Sequence, residues 1–285
     1  MRIPFFSSLR RSRPYRTRRN LILEHLDLSR PGLEIGPGPH PLVPKRDGHP
    51  VKTLDWMDQE GLQKRCREEG GGDPQNIEFV DFVWQGEPYA ELIGEEKAFE
   101  WIVASHVVEH VPDLVAFLRN CSDVLSDQGI LSLAVPDKRY CFDHFRTLSS
   151  LSQVIDAHLQ NRTRHTTGTL YEYLLHTTLL NGTGAWGKGS KGTFALSYPR
   201  ETPEEMYLEK IKGPEYIDAH GWTFTPSSFR LLIQELNLLG FTDLKEYSFS
   251  PSLGCEFFIT LSRKGKGSGL NRLELFHDIE REIKA

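Results

Sequence analysis

Short apolar runs alternate with amphipathic stretches along most of the chain. The two helices that stand out most clearly cover residues 113–125 and 226–239, where apolar positions recur at helical spacing. Thr225 is the expected N-cap of the second helix, Pro226 suits its first turn and Gly240 its end. Strands that alternate with such helices predict a mainly parallel sheet covered on both faces. The predicted strands lie near residues 32–36, 51–55, 77–82, 100–105, 129–135, 244–249 and 255–262.

The stretch from residue 137 to residue 224 interrupts this alternation and is too long for an ordinary connection. It contains two further predicted helices, at 148–160 and 168–181, and then a glycine-rich run at 181–192. It starts at the carboxyl end of the fifth strand, the side where open α/β sheets bind ligands. We therefore interpret it as an insertion that covers a substrate. The run 181–192 has few apolar anchors, and we expect it to be flexible and to order on binding.

The first predicted strand ends in a glycine-rich turn, Gly36-Pro37-Gly38, preceded by Glu34. Asp55 closes the second predicted strand nineteen residues after Gly36. Glycines let the backbone approach a ligand closely, and a carboxylate accepts strong hydrogen bonds from ribose hydroxyls. The combination is typical of a nucleoside site in an open α/β sheet.

Two kinds of cofactor fit such a turn: a nicotinamide or flavin dinucleotide, and S-adenosylmethionine. The dinucleotide fingerprint requires a third glycine, where this chain has Pro41, and the prolines of the loop withhold N–H groups from a pyrophosphate. Glu34 would be an unfavourable charge beside phosphate, whereas S-adenosylmethionine carries an ammonium and a sulfonium. The residues favour S-adenosylmethionine. A nicotinamide-dependent oxidoreductase and a non-catalytic cofactor-binding module are the alternatives.

Two further stretches carry a resemblance to a known family. Residues 99–113 read FEWIVASHVVEHVPD, and residues 128–136 read QGILSLAVP. Together with the Glu-x-Gly-x-Gly turn, they resemble the class I S-adenosylmethionine-dependent methyltransferases, of the small-molecule group with a Ser-His-Val-x-Glu-His motif. The resemblance covers roughly residues 30–146 and, more loosely, residues 220–262.

This resemblance implies the α/β class, with a Rossmann-like, doubly wound, seven-stranded and mostly parallel sheet. The last two strands form an antiparallel edge hairpin, and the helical insertion follows strand 5. Asp81 corresponds to the family's acid at the end of the third strand, which meets the adenine amino group, and Phe82 or Trp56 would stack on the base. The expected cofactor contacts are Glu34, Gly36, Pro37, Gly38, Asp55, Trp56, Asp81, Phe82, Ser105 and His106.

A polar run, residues 137–146, follows the predicted fifth strand directly. Polar side chains in this position are unlike those of a hydrophobic core. Their location at the end of the strand favours the interpretation that they form the methyl-acceptor site. Asp143, His144 or His220 could remove a proton from a hydroxyl, which is a poor nucleophile until deprotonated. Arginines there could clamp a phosphate or carboxylate. The expected substrate contacts are Asp137, Arg139, Tyr140 and Arg146.

The phrase at residues 135–140, Val-Pro-Asp-Lys-Arg-Tyr, resembles bacterial methyltransferases associated with surface-glycan assembly. It implies O-methylation of a sugar, a glycan or another small-molecule acceptor.

The segment from His106 to His110 also matches the zinc motif His-x-x-Glu-His. That motif requires both histidines one turn apart on a stable helix. Here it follows a β-type run, and Pro112 disfavours a helix. We therefore expect no metal site, with His106 near the cofactor and Glu109 and His110 orienting the loop.

Composition changes this picture little. The chain has 285 residues, 38% hydrophobic content and a net charge of −5, which indicates a globular protein without a nucleic-acid partner. Four cysteines without a Cys-x-x-Cys pair indicate a reducing compartment, and no apolar run is long enough to span a bilayer. We expect a cytoplasmic enzyme.

The N-terminus departs from this average, because residues 1–23 contain no acid and many arginines. They could form a solvated arm, a first helix that covers the cofactor, a contact with an anionic substrate or membrane surface, or a targeting segment. The chain thus divides into a basic arm (1–29), the cofactor-binding half of the domain (30–136), the insertion (137–224), the completion of the domain (225–263), and a linker with a tail (264–285).

Overall fold

The computed structural model describes residues 13–198 and 216–284, and for residues 13–17 it describes the backbone alone. Seven strands form one sheet in the order β3-β2-β1-β4-β5-β9-β8. The first five of these pair in parallel, whereas β9 pairs antiparallel with both β5 and β8. The predicted fold class is confirmed. The strands are β1 (Gly32–Ile35), β2 (Val51–Asp55), β3 (Phe82–Val83), β4 (Phe99–Ser105), β5 (Leu125–Pro136), β6 (Thr178–Leu180), β7 (Phe194–Leu196), β8 (Lys245–Leu253) and β9 (Glu256–Ser262).

Helices cover both faces of the sheet. They are α1 (Arg13–Leu23), α2 (Gln59–Glu69), α3 (Tyr89–Ile93), α4 (Leu114–Val124), α5 (Leu151–Leu159), α6 (Thr167–His176), α7 (Pro226–Leu238) and α8 (Arg272–Lys284). Short 3₁₀ turns lie at Lys45–Asp47, Pro74–Asn76 and Lys138–Tyr140.

The helices α4 and α7 form the main core against one face of the sheet. Helix α4 begins at Asp113, whose carboxylate accepts a hydrogen bond from the N–H of Ala116 at 2.9 Å. Helix α7 has Thr225 as its N-cap, with an extended backbone, and Pro226 in its first turn. Both starts agree with the sequence prediction, because capping residues are local signals.

The opposite face is covered by α1 rather than by a helix between β1 and β2. Ile22 of α1, together with Leu42 and Val43, packs on Trp101 and Val103 of β4. Part of the predicted basic arm is therefore a packed helix. Of its arginines, Arg10 and Arg11 lie outside the described residues, as do the side chains of Arg13 and Arg16.

The third strand differs from the prediction, which placed it at residues 77–82. The described strand is only Phe82–Val83, and it pairs with Leu54 and Asp55 of β2. Residues 74–76 form a 3₁₀ turn, and Ile77 and Val80 pack with α2 in a small separate core. The apolar residues of this run thus fill a local core instead of extending the sheet.

The insertion also differs from the prediction. Helix α6 ends at His176 instead of residue 181, and the chain continues as the hairpin of β6 and β7. The run expected to be flexible is tied together by Asn181, whose side-chain amide donates to Lys191 O at 3.0 Å and accepts from Thr193 N at 3.1 Å. Trp186 anchors the loop further, because its indole N–H donates to Arg139 O at 3.2 Å.

The C-terminal tail forms α8, which packs against α7 with Leu275 fully buried. Its Glu282 accepts hydrogen bonds from the backbone and hydroxyl of Ser227 at the start of α7. Within the described ranges, no helix has the length and apolar character needed to cross a membrane.

Candidate functional site

The turn after β1 leaves room for a ligand. Gly36 and Gly38 both have left-handed backbones, with φ of 64° and 49°. A Cβ at Gly36 would lie 3.0 Å from Val107, whereas a Cβ at Gly38 would meet no atom within 4 Å. The carbonyl of Pro37, between them, accepts from the N–H of His40 and closes the turn. The turn therefore presents open space beside Gly38, at the position predicted for the cofactor.

Glu34 holds this turn in place. Its side chain is buried, and its two carboxylate oxygens accept hydrogen bonds from Leu42 N at 2.7 Å and Val43 N at 3.0 Å. Burial outweighs these bonds and raises the pKa of Glu34 to about 7. In this structure Glu34 therefore shapes the loop that leads to Val43. Its predicted role beside the charged groups of the cofactor would be an indirect one.

Asp55 lies at the carboxyl end of β2 with one oxygen available. Its Oδ1 accepts from Trp56 N at 2.8 Å, and no described residue donates a hydrogen bond to Oδ2. Burial raises the pKa of Asp55 to about 7. The ring of Trp56 is partly exposed, with the Arg65 guanidinium 4.9 Å from its centroid and Tyr216 at 5.9 Å. We refer to residues 34–38, Asp55 and Trp56 as the cofactor edge.

Asp81 and Phe82 lie beside the cofactor edge. Because β3 starts at Phe82, Asp81 precedes the strand instead of ending it. Its carboxylate forms ion pairs with Lys45 and Lys52 and accepts from Thr53 N, and these contacts lower the pKa of Asp81 although burial by itself raises it. The adenine contact predicted for Asp81 would have to compete with two ammonium groups. Phe82 is half-buried and packs against the main core.

Ser105 and His106 end β4 and contact α1 and β9. Arg18 donates to Ser105 Oγ at 2.5 Å and forms an ion pair with Glu256, at 2.9 Å for one oxygen. His106 has a left-handed backbone, with φ of 56°, and its Nε2 lies 2.9 Å from Glu256. Burial by itself lowers the pKa of His106, but the carboxylates of Glu109 and Glu256 outweigh it and raise the pKa to about 9. Neither Arg18 nor Glu256 could be linked to the end of β4 from the sequence, because both are distant from it along the chain.

The polar run after β5 divides into two groups, and the first is engaged in structural contacts. Asp137 is fully buried and pairs with Arg139 at 2.6 Å. The Arg139 guanidinium lies 5.0 Å from the ring of Tyr140. His144 contacts the carbonyl of Arg139 at 2.9 Å through Nδ1 and stacks on Phe194 at 4.8 Å.

The second group is buried and contacts His220, near the end of the insertion. Asp143 Oδ2 lies 2.5 Å from His220 Nδ1, and Asp143 Oδ1 accepts from Arg146 at 2.9 Å. Arg146 also donates to the carbonyl of His220 at 2.7 Å. Although burial raises it, His220 and Arg146 hold the pKa of Asp143 at about 2. The structure thus brings together three predicted site residues, Asp143, Arg146 and His220.

The loop after β4 meets this group. Glu109 Oε1 lies 3.8 Å from His110 Nε2 and 3.9 Å from His220 Nε2. His110 Nδ1 in turn lies 2.8 Å from Asp218, which also pairs with Arg65 at 3.0 Å. The carboxylates of Asp218 and Glu109 outweigh burial and raise the pKa of His110 to about 9. We refer to Glu109, His110, Asp143, Asp218 and His220 as the carboxylate–imidazole cluster.

The segment His106–His110 forms a turn and not a helix, as expected. Spacing along the chain therefore could not reveal that Glu109 and His110 meet His220. Asp218 carried no signal at all in the sequence.

The residues at the cofactor edge fit S-adenosylmethionine. Open space beside Gly38 suits the amino-acid portion of the ligand, and Asp55 has an oxygen for the ribose hydroxyls. No helix of the described chain directs its N-terminus from this turn toward a pyrophosphate, since β1 leads through a loop and a 3₁₀ turn to β2.

Comparison with known proteins gives one family and a group of distant structures. The family profile of the methyltransferase domain matches residues 8–240. A search of curated protein sequences found no match. Similar solved structures include a protein of Pyrococcus horikoshii, with 12% identity, a TM-score of 0.43, and coverage of 89% of this chain and 93% of that one.

Two further similar structures are methyltransferases. The 1,6-didemethyltoxoflavin N1-methyltransferase of Burkholderia thailandensis, solved with its substrate and S-adenosylhomocysteine, shares 12% identity at a TM-score of 0.42, covering 88% of this chain and 78% of that one. An S-adenosylmethionine-dependent methyltransferase of Methanosarcina mazei shares 14% at a TM-score of 0.42, covering 84% and 95%.

Proposed function

The chain belongs to the methyltransferase-domain family, and we propose that it O-methylates a sugar, a glycan or another small hydroxyl compound. It is an S-adenosylmethionine-dependent methyltransferase, and this activity replaces the nicotinamide-dependent oxidoreductase and the non-catalytic module as alternatives. The class I group with the Ser-His-Val-x-Glu-His motif remains the finer assignment that we propose from residues 105–110.

The single observation that carries the hydroxyl acceptor is the buried pair of Asp143 and His220. Asp143 fixes the imidazole through Nδ1 at 2.5 Å and turns Nε2 toward the loop after β4. A hydroxyl is a poor nucleophile until its proton is removed, and an oriented imidazole–carboxylate pair provides that chemistry. We propose that Asp143 and His220 activate the acceptor, with Arg146 holding Asp143 in place.

The cofactor edge positions the methyl donor. Asp55 would accept hydrogen bonds from the ribose hydroxyls, Gly36 and Gly38 would let the backbone approach, and Trp56 or Phe82 would contact the base. When bound, the cofactor supplies an electrophilic methyl group on a sulfonium. Strand β4 pairs with β1, and the His106 that follows it lies 3.4 Å from Glu109, so we propose that the acceptor oxygen approaches the methyl group near the end of β4.

The insertion contributes the acceptor side. It delivers His220 and Asp218 to the loop after β4, and its β6–β7 hairpin covers His144. Arg139 and Tyr140 are proposed to contact the acceptor. Arg139 would do so while it remains in its ion pair with Asp137. His144 is the less favoured base, because the partner of its Nδ1 is a neutral carbonyl, which stabilises a protonated imidazole less than the carboxylate of Asp143 does.

The test is a transfer assay with S-adenosylmethionine and a panel of free sugars, nucleotide sugars and lipid-linked oligosaccharides. We expect release of S-adenosylhomocysteine only with hydroxyl acceptors, with the methyl group located on oxygen by mass spectrometry and NMR. His220→Gln should lower kcat by about 100-fold or more, the scale of a lost acid–base group, and leave S-adenosylhomocysteine affinity nearly unchanged.

The matched control is His158→Gln, since His158 also pairs with an aspartate, Asp113, at 2.9 Å but does not belong to the carboxylate–imidazole cluster. Its turnover should match the wild type. Transfer to amines but to no hydroxyl, or wild-type turnover in His220→Gln, would refute the proposed function.

A further inference from the structure

Glu109 is a buried carboxylate whose surroundings are incomplete. Its side chain is 1% exposed, and neither oxygen accepts a hydrogen bond from the described residues. Its backbone is held firmly, because its carbonyl accepts from Gly221 N at 2.7 Å and from Trp222 N at 3.2 Å. A buried carboxylate without donors is costly, so native proteins supply such a group with a hydrogen bond, a cation or a metal.

Two imidazoles face this carboxylate with the same nitrogen. The Nε2 atoms of His110 and His220 lie 3.8 and 3.9 Å from Glu109 Oε1, and the three ligand atoms all lie within 4.8 Å of one another. The two rings are nearly perpendicular, with centroids 4.6 Å apart. The nitrogens thus converge on one point beside the carboxylate.

The other nitrogen of each ring is fixed by an aspartate. Asp218 lies 2.8 Å from His110 Nδ1, and Asp143 lies 2.5 Å from His220 Nδ1. Carboxylates that accept from one imidazole nitrogen and orient the other are the usual outer partners of metal-bound histidines. This arrangement makes Nε2 of each ring the free donor of an electron pair whenever the ring is neutral.

The guanidinium groups near the cluster are used by its outer aspartates. Arg65 pairs with Asp218 at 3.0 Å, and Arg146 pairs with Asp143 at 2.9 Å. Among the described residues, Glu109 faces imidazoles instead, with His106 Nδ1 nearest at 3.4 Å. A cation held between the three inner side chains would give the Glu109 carboxylate the direct partner that it lacks.

We propose that Glu109, His110 and His220 bind one divalent transition-metal ion of the zinc class. With bonds of about 2.0–2.1 Å, ligand atoms of a tetrahedral ion lie about 3.4 Å apart. The two distances to Glu109, 3.8 and 3.9 Å, need to shorten by about half an ångström, and the two imidazoles, whose ligand atoms lie within 4.8 Å of each other, by up to about 1.4 Å. Two imidazoles and one carboxylate are a frequent ligand set of catalytic zinc, which keeps a further position open. Glu109 and His110 lie in the loop after β4, whereas His220 lies near the end of the insertion. The His-x-x-Glu-His motif was misleading because it pairs His106 with His110, and the proposed site pairs His110 with His220.

The open position would lie on the side of His110, whose side chain is 24% exposed while that of His220 is 3% exposed. If the proposed function holds, the acceptor hydroxyl would bind there and lose its proton to water more readily. Its oxygen keeps the electron pair, forms the new bond to the methyl carbon, and the carbon–sulfur bond breaks. His220 would then act as a ligand, and metal binding itself does not depend on this step.

The experiment uses the full-length protein, freed of metal with a chelator and titrated with Co²⁺ and then with Zn²⁺. We expect one Co²⁺ per chain with visible absorption of a tetrahedral or five-coordinate centre, a micromolar or tighter Kd, and displacement by one Zn²⁺. Glu109→Gln and His220→Asn should weaken binding by about 100-fold or more. Asp218→Asn should weaken it by about tenfold, the effect of losing an outer partner.

His158→Asn is the matched control, because it removes a histidine–aspartate pair elsewhere and should bind Co²⁺ like the wild type. Circular dichroism identifies any variant that fails to fold, and His110→Asn, at the more exposed ligand, provides a second test. A wild-type protein that binds no Co²⁺ at micromolar concentration overturns the proposal, as does unchanged binding in the folded Glu109 or His110 variant. Methyl transfer by a metal-free protein would leave the proposed function intact with His220 as the base, so the two failures are distinguishable.

Discussion

The cofactor edge and the carboxylate–imidazole cluster lie at the same end of the sheet but are constructed differently. The cofactor edge comes from two neighbouring strands, and its key features are backbone conformation at Gly36 and Gly38 and one carboxylate at a strand end. The cluster is assembled from three segments between residues 109 and 220, and it consists of carboxylate and imidazole side chains. We therefore expect changes at the first to affect ligand binding, and changes at the second to affect stability and catalysis.

The largest expected effect concerns stability at the cluster. Arg146→Met would leave the carboxylate of Asp143 buried with His220 and the Cys141 thiol as its described partners, and breaking a buried ion pair in this way costs about 3–5 kcal/mol. Urea denaturation measures the loss. Arg30→Met is the control, since the pair of Arg30 with Glu100 is largely exposed and should contribute at most about 1 kcal/mol. Equal losses for the two variants would contradict the distinction between the regions.

At the cofactor edge we expect a loss of ligand binding that exceeds what backbone strain alone causes. Gly38→Val should weaken S-adenosylhomocysteine binding by about 100-fold or more, roughly 2.7 kcal/mol, because a branched side chain would fill the open space beside the turn. Calorimetry measures the affinity. Gly48→Val is the matched control: Gly48 also has a left-handed backbone, φ of 80°, and open space around its Cβ position. It carries the same strain, so similar binding losses in both variants would show that strain and not the ligand path is responsible.

The next effect is smaller and concerns the acid of β2. Asp55→Ala should weaken S-adenosylhomocysteine binding by about 1.5–3 kcal/mol, the scale of a lost charged hydrogen bond. Asp58→Ala is the control, because Asp58 caps α2 through Gly61 N at 2.8 Å and should affect stability alone. If both variants bind like the wild type, the ribose contact does not involve Asp55.

The same comparison explains what the sequence could predict. The bounds of β1, β2, β4, α4 and α7 follow from apolar spacing and from capping residues such as Asp113 and Thr225, which act within a few positions of each other. The third strand was mispredicted because Ile77 and Val80 satisfy a local core with α2, a tertiary contact that β-propensity does not encode. The position of the cofactor edge follows from the same local patterns, because it lies where β1 and β2 end.

The cluster was only partly predictable. Asp143 and Arg146 could be proposed because polar residues after a buried strand are unusual, and His220 because it lies where the chain returns from the insertion. Their pairing depends on the path of the insertion. The sequence predicts that Glu109 and His110 only orient the loop after β4, because they are adjacent to His106 along the chain and their contact with His220 depends on the fold. The run 181–192 was expected to be flexible because composition does not show that the Asn181 side chain would bridge its two ends.

The smallest expected effect is the pH dependence of cofactor binding through Asp55. Burial raises the pKa of Asp55 from its usual 3.8 to about 7 in the ligand-free protein, so the carboxyl is partly protonated near neutrality. Ribose hydroxyls favour the ionised form and lower that pKa on binding. Affinity should therefore rise with pH, by about tenfold between pH 6 and pH 8, and level off above the ligand-free pKa.

Calorimetry in two buffers of different ionisation enthalpy should show a proton released on binding at pH 6.5 and little release at pH 8. In Asp55→Asn, affinity should be lower and independent of pH over this range, because the amide cannot titrate. Folding provides an independent check of the sign. A carboxyl with a raised pKa binds more protons in the folded than in the unfolded state between pH 4 and pH 7, so its contribution to ligand-free stability decreases as pH rises through that window. Wild-type affinity that is flat from pH 6 to pH 8 would contradict the proposed role of Asp55. A pH dependence that persists in Asp55→Asn would assign the titration to another group, first of all to Glu34, whose pKa burial also raises to about 7.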